Sequence, residues 1–400
     1  MKQYDLVVVG AGIVGLAVAR EWFARHPGAS ILVVEGESDV AAHQTSHNSG
    51  VIHSGVYYEP GSLKARLCVE GARLMYDYAA EHRIPVERCG KLIVALEEHE
   101  LPRLDELERR GRANDVEGLR RVGAAEIKEI EPHAAGLAAL HSPGTGIVDY
   151  AEVARAIRRE LETKHVELRF DTWVRSVRNH GDICRVELPD GEVTARRAIT
   201  CAGLWSDRLA RSSGAPGDPR IVPFRGGYLQ LRRTEEPLVR GMIYPVPDPT
   251  LPFLGVHITR HINGTVSLGP TAMMVAARDG YSATRLRGRD VWETAAWPGS
   301  WRLARRFWRT GVRELTMAAS RKAFVREAAR YAPGLTVDDL DGSVHAGVRA
   351  QALGRDGSLV DDFALSTDGP VTHVRNAPSP AATASFAIAG ELVDRVMAAN

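Results

Sequence analysis

The sequence predicts an α/β fold: a Rossmann-like nucleotide-binding domain with a parallel sheet, joined to a second, β-rich α+β domain. Two observations carry this. The chain opens on an apolar, β-branched run, Tyr4 to Val9, followed by Gly10-Ala11-Gly12-Ile13-Val14-Gly15, a helical pattern through Arg25, and a second apolar run, Ile31 to Val34, that ends in Glu35. That is a complete strand, glycine turn, helix and strand unit closed by an acid, far more specific than a lone GxGxxG. Secondly, 400 residues exceed the usual reach of one hydrophobic core, so two domains are expected, interleaved along the chain.

Each part of the first unit has a physical task. The glycines allow the tight turn and let backbone approach a pyrophosphate, whose charge meets the N-terminus of the following helix. Glu35 is placed to accept hydrogen bonds from ribose hydroxyls. Helical patterns follow at about 63 to 82 and 97 to 114, separated by a strand from Lys91 to Leu96. GIVDYAEVARAIRREL then predicts a helix capped by Asp149. VELRF, WVRSVRN, ICRVEL and EVTARRAITCAG read as short strands, with Pro189-Asp190-Gly191 as a turn. From about 216 the pattern changes to alternating strands around RGGYLQL and FLGVHITRHINGTVSLGP, then to an Arg- and Trp-rich helical segment. From Gly342 onward Gly-rich loops lead to a final helix.

Composition excludes some classes of function. With 51 Lys+Arg against 50 Asp+Glu, the chain gives no reason to expect a nucleic-acid partner. Its four cysteines, Cys68, Cys89, Cys184 and Cys201, form no CxxC pair, which fits a reducing cytoplasm and supports neither a disulfide framework nor a zinc site. The N-terminus lacks the features of a signal peptide, and no apolar run approaches the roughly 20 residues needed to span a bilayer. A cytoplasmic protein is expected. The segment Trp301 to Leu315 sets Arg302, Arg305, Arg306, Arg309 and Arg313 among Trp301, Phe307 and Trp308. It suits either peripheral contact with the inner face of an anionic membrane or a surface helix whose Arg stems cover apolar surface.

Two later stretches complement the glycine turn. Ile199 to Ser206 is an apolar strand running into Ala202-Gly203 and a helix, a pattern for close packing on a dinucleotide. Asn376-Ala377-Pro378-Ser379-Pro380-Ala381 precedes a small-residue helix, whose N-terminus would either face an anion or carbonyl or serve only as a Pro-capped packing element.

Taken together, GAGIVG, HNSGVIHSGVYYEPGSLKARLCVEG, GIVDYAEVARAI, FLGVHIT with VSLGP, GVRAQ (Gly347 to Gln351) and RNAPSPAATASFAIAG resemble the L-2-hydroxyglutarate dehydrogenase/oxidase family. This is a branch of the D-amino-acid-oxidase-like FAD enzymes. The resemblance runs over nearly the whole chain. It implies FAD, oxidation of an L-2-hydroxy dicarboxylate to the 2-oxo acid, and reoxidation by quinone or oxygen. An amino-acid or amine oxidase of the same superfamily, or a related hydroxy-acid oxidase in a specialised pathway, is the alternative. The domains expected are a discontinuous FAD-binding domain (1–88, 145–215, 340–400) and a substrate domain (89–144, 216–339).

Residues expected at the cofactor are Gly10, Gly12, Ile13, Val14, Gly15 and Glu35 in the first unit, and Thr45, Ser46, Asn48, Ser49, Gly50 and Val51 in the family motif. Ala202, Gly203, Gly347, Pro378, Ser379, Pro380 and Ala381 complete the set. Oxidising a secondary alcohol calls for a base, and His is the natural candidate. His53, by the resemblance, runs along the flavin, and His257 is the next choice. Carboxylates call for guanidinium forks and phenol hydroxyls, which points to Arg349, then Tyr57, Tyr58 and Arg225. In an extended segment Tyr57 and Tyr58 would face opposite ways, so one of them is expected in the core. Lys64 is expected to be solvated. The segment Phe224 to Gln230 departs from the family pattern: Gly227 stands for an acid and Leu229 for a tyrosine. If that strand borders the substrate, the departure bears on which hydroxy acid is used.

Overall fold

The computed structural model describes residues 2–398 apart from 235, 236, 250, 252 and 283. Among these the strands form three sheets. The eight-stranded sheet is built on the predicted unit: Gln3–Val9 lies parallel to Ile31–Val34 on one side and to Gly191–Thr200 on the other. Gln3–Val9, Ile31–Val34 and the second half of Gly191–Thr200 are largely buried, as a sheet covered on both faces requires. The Gly191–Thr200 strand has two neighbours on its outer side. Its first half pairs antiparallel with Ile183–Leu188 across the turn at Pro189, and its second half pairs parallel with Val371–Asn376 from the C-terminal part. The helices Ile13–Arg25, Tyr150–Thr163, Leu63–Glu81 and Ser385–Ala398 share one core on this sheet. Gly71 permits the last contact, since a Cβ there would lie 2.5 Å from the Ala384 Cα.

The second sheet has nine strands, so the β-rich part matches the first sheet in extent. Its spine is the antiparallel pair Arg220–Leu231 and Leu340–Leu353, and Lys91–Ala95, Ala138–Ser142, Met242–Pro245, His257–Arg260 and Val266–Gly269 extend it. Residues 340–353 thus pair in this sheet, against the expectation that everything from 340 onward belongs with the nucleotide-binding part; the chain returns to the first sheet at Ala364–Asp368. Local readings elsewhere hold closely. Asp149 caps Tyr150–Thr163, accepting from the Ala151 and Glu152 N–H groups, and the helices at Leu63–Glu81 and Leu101–Ala113 fall in the expected windows.

The Arg- and Trp-rich segment lies in the helix Pro298–Ala319, which kinks at Phe307. Trp301, Trp308, Val312 and Leu315 stand exposed along it. No helix among the described residues is long and apolar enough to cross a membrane. The expected strand at Trp173 starts later, at Ser176; the Trp173 ring instead covers Gly36, where a Cβ would sit 2.6 Å from it.

Candidate active site

The glycine turn is closed by backbone contacts that a side chain would break. Gly10 has φ +105°, and a Cβ on it would lie 2.4 Å from the Cys201 carbonyl oxygen; one on Gly15 would lie 1.9 Å from the Gly10 oxygen. The helix that starts at Ile13 has no side-chain cap at Gly12, but the Ile13 N–H donates to Thr45 Oγ1 at 3.1 Å. Asn48 organises the neighbouring loop: its Nδ2 donates to the Thr45 carbonyl at 2.7 Å and its Oδ1 accepts from the Gly50 N–H at 2.7 Å. The Glu35 carboxylate accepts from the Ala11 and Glu37 N–H groups, which fixes it at the end of the second strand.

From this turn a cavity of about 730 Å³ runs between the two large sheets to Arg349. Its size is that of a site for a large cofactor with a small substrate. Gly10, Gly12, Ile13, Val14, Gly15, Glu35, Thr45, Asn48, Ser49 and Val51 line it, as do Ala202, Gly203, Gly347, Ser379, Pro380 and Ala381. The uncapped helix N-terminus, the cradle shaped by Gly10 and Gly15, and the fixed carboxylate of Glu35 fit a dinucleotide such as FAD.

Three expected cofactor residues lie off this surface. Ser46 turns to solvent and donates to the His43 carbonyl; Gly50, with φ +69°, backs onto the Val148 carbonyl; and Pro378 is not among the lining residues. The C-terminal helix also begins later than expected. Residues 378–384 form a ramp of turns in which Ala381 N–H meets the Pro378 carbonyl, and the helix starts at Ser385. The ramp, rather than the helix terminus, faces the cavity.

Sequence reasoning missed what ties the ramp to the His53 segment. Tyr150 Oη donates to the Val51 carbonyl at 2.9 Å and lies 2.9 Å from Thr383 Oγ1, and Thr383 also receives the His53 N–H. Tyr150 and Thr383 are buried, so three distant pieces of chain are fixed together where the candidate catalytic side chains converge. Only the tertiary fold makes Tyr150 and Thr383 neighbours.

Tyr57 and Tyr58 both line the cavity. The chain at residues 55–58 turns instead of extending, so alternation does not apply, and Val56 is the residue that enters the core. His53 Nδ1 and Tyr57 Oη are buried without a hydrogen-bond partner among the described residues. Burial holds the His53 imidazole down at about 3, reinforced by Lys91, His257, Lys64 and Arg349, so it is neutral. His257 is likewise lowered to about 4, chiefly by burial; its Nδ1 is 2.9 Å from the Gly255 carbonyl and its ring stacks on Tyr244 at 3.9 Å.

Arg349 reaches the cavity from the strand Leu340–Leu353 with its side chain exposed to that space, and desolvation by the surrounding walls lowers its pKa. Its guanidinium lies 4.9 Å from the Phe253 ring centroid and makes no hydrogen bond or ion pair among the described residues. Arg225 borders the cavity from the opposite face of the neighbouring strand, where its Nε donates to the Tyr281 carbonyl, so it does not converge with Arg349. Lys64, expected in solvent, is buried and donates to the carbonyl and carboxylate of Asp361 at 2.8 and 2.9 Å. Lys91, Tyr228, Tyr244 and Phe253 complete the surroundings; nothing in their local sequence marks them, because strands from separate parts of the chain bring them together.

Comparison with known proteins agrees with FAD as the cofactor. The family model described as FAD dependent oxidoreductase matches residues 5–395. The mitochondrial L-2-hydroxyglutarate dehydrogenase of Homo sapiens is 45% identical, covering 99% of this chain and 89% of its own. The L-2-hydroxyglutarate dehydrogenase of Indibacter alkaliphilus is 40% identical, covering 98% of both chains. Among solved structures, the FAD-bound L-alpha-glycerophosphate oxidase of Mycoplasma pneumoniae superposes with a TM-score of 0.80 at 22% identity, covering 99% of this chain and 95% of its own. The glycine oxidase of Geobacillus kaustophilus gives 0.75 at 18%, covering 100% and 95%. These two likenesses show the fold.

Proposed function

Because the chain belongs to the FAD dependent oxidoreductase family, we propose that it oxidises L-2-hydroxyglutarate, or a close 2-hydroxy dicarboxylate, to the 2-oxo acid. One observation carries the substrate class: a guanidinium, an imidazole nitrogen and a phenol that have no hydrogen-bond partner among the described residues, on Arg349, His53 and Tyr57, border one cavity that begins at the glycine turn. The relatives named L-2-hydroxyglutarate dehydrogenase, at 40 and 45% identity over nearly the full chain, support the specific acid.

Bound FAD supplies a two-electron acceptor for the hydride of the substrate's C2–H. The chain's residues do the rest. Arg349 holds a carboxylate bidentately, which its freedom from other partners permits. Tyr57 and Tyr58 offer phenol donors. His53 takes the hydroxyl proton at Nδ1. Burial, with the charges of Lys91, Lys64 and Arg349, keeps that nitrogen unprotonated, and the negative charge of a bound dicarboxylate offsets their field and raises its basicity. The Phe253 and Tyr244 rings narrow the water-accessible space around the reacting carbon.

The onward electron acceptor in this reading is a quinone, with oxygen as the alternative. An apolar groove of about 370 Å³ between the Pro298–Ala319 helix and residues 251 and 253–256 shares Phe224, Leu251, Phe253 and Leu254 with the main cavity. The exposed Trp301, Trp308 and Leu315, set among arginines, support peripheral contact with an anionic membrane. Cosedimentation with phosphatidylglycerol vesicles, lost in a Trp301→Ser/Trp308→Ser variant, tests that part.

The reaction is tested by anaerobic bleaching of the protein-bound flavin against L- and D-2-hydroxy acids and amino acids. Fast bleaching by L-2-hydroxyglutarate is expected; bleaching only by amino acids would make the protein an amine oxidase.

A further inference from the structure

Lys91 begins the central strand Lys91–Ala95 of the second sheet and is 2% exposed. A lysine so buried carries a heavy desolvation cost unless something compensates its charge. Among the described residues its ammonium has no carboxylate and no hydrogen-bond acceptor. It meets two aromatic faces instead, lying 4.7 Å from the Tyr57 ring centroid and 5.1 Å from that of Tyr244. Both rings wall the cavity, and Tyr57 Oη is unpartnered. The charge is also felt by His53 and His257, which it helps to keep neutral. A structural lysine would be expected to find an acid; this one sits behind the wall of the site, where an incoming anion would complete its environment.

We propose that Lys91 is a positioning residue which, through Tyr57 and Tyr244, supplies the second positive charge of the cavity beside Arg349 and so selects dianionic over monoanionic 2-hydroxy acids. The inference rests on the hydroxy-acid reading above. Arg349 alone accounts for one carboxylate; the field of Lys91, transmitted across the two rings, favours the other.

Titration supports the same role. Burial lowers the ammonium to about 8. The groups facing it add no negative charge: the Cys68 thiol is pushed up to about 12, the Tyr57 and Tyr244 phenols are raised, and His53 and His257 are neutral. A bound dianion stabilises the ammonium and raises its pKa, so affinity for a dianion is full below pH 8 and declines as the free protein loses this proton above it.

The test compares L-2-hydroxyglutarate with L-2-hydroxyvalerate, which has the same chain length and one carboxylate fewer, as reductants of the FAD-bound protein. In Lys91→Met the half-saturating concentration for the dicarboxylate is expected to rise about tenfold or more, with that for the monocarboxylate changed less than about twofold, as loss of one nearby charge requires. Equal changes for both acids, or none, overturn the proposal. Should Lys91→Met not retain flavin, the wild-type protein decides: half-saturation for the dicarboxylate alone should rise between pH 7.5 and 9.5, and parallel or flat profiles overturn the role. If neither acid reduces the wild-type flavin, the hydroxy-acid reading itself has failed.

Discussion

Phe224 and Arg349 are cross-strand partners in the spine of the second sheet, and both turn their side chains into the cavity. Alternation puts Gly226 and Tyr228 on the same face as Phe224, and Gly227 and Leu229 on the other. Leu229 packs against the core beneath the Arg321–Ala328 helix, and neither it nor Gly227 lines the cavity. The strand does border the proposed substrate site, but through residues other than the two that depart from the family pattern. A Cβ on Gly227 would lie 3.2 Å from Arg225 Nη1, so an acid there would address Arg225. Gly227→Asp is therefore expected to leave the preference among hydroxy acids within about twofold of wild type, with flavin bleaching across the acid panel as the measurement; a tenfold shift would contradict this placement.

His53 offers the test of the proposed base. His53→Ala should keep its FAD, because the site's turn and ramp do not depend on the imidazole, and reduce it roughly 10²- to 10⁴-fold more slowly, the usual worth of a positioned base. Stopped-flow reduction at saturating acid reads this directly. Wild-type rates in the variant would leave His53 a packing residue.

Gly15→Ala would force a Cβ to within 1.9 Å of the Gly10 carbonyl oxygen, a backbone atom that cannot swing aside as the end of a flexible side chain could. The purified variant should contain at least about tenfold less flavin, measured by absorbance after denaturation, since a shift of the turn by even an ångström removes the cradle for the pyrophosphate. A stoichiometric flavoprotein would disprove the tightness of this contact.

Four histidines, His53, His257, His261 and His373, are lowered to about 3, 4, 4 and 4, in each case chiefly by burial. In the unfolded chain they take up protons near 6.5. The unfolded state thus binds more protons below 6.5, and stability that is complete above that pH is lost as pH falls towards 4. Thermal melts from pH 7.5 to 4.5 should show a progressive fall that is reduced in His373→Gln, a position away from the cavity lining. A melting temperature constant down to pH 5 would refute it.

Asp207 and Arg278 form a buried ion pair, at 1% and 3% exposure, in which Arg278 Nη2 donates to Asp207 Oδ2 at 3.0 Å. It joins the short helix Ser206–Ser212 to the segment that follows the strand Met273–Met274. Asp207→Ala leaves the guanidinium buried and short of its main partner, and should destabilise the protein by about 3–5 kcal/mol, read as an earlier midpoint in urea unfolding. A change under about 1 kcal/mol would show that Glu293 and the Leu204 carbonyl suffice to hold Arg278.

Ala364–Asp368 and Val371–Asn376 are strands of the first sheet where Gly-rich loops are expected. The sequence by itself determined the glycine turn with Glu35, the strands Gln3–Val9 and Ile31–Val34 with the helix between them, the Asp149 cap and FAD as the cofactor. Each is written in local signals: a period of alternation, a glycine where a Cβ cannot fit, or a capping side chain. What only the tertiary structure decided is which side chains share the cavity. The turn at 55–58 brings both Tyr57 and Tyr58 to it, strand alternation takes Gly227 and Leu229 away from it, and the C-terminal ramp displaces the expected helix terminus. Lys91, which its strand pattern marks only as a core-edge residue, becomes a buried cation because the loop carrying Tyr57 and the strand carrying Tyr244 close over it. The meeting of Lys91 with Tyr244 depends on the pairing of Lys91–Ala95 with Met242–Pro245, more than a hundred residues further along the chain, and no local periodicity encodes it.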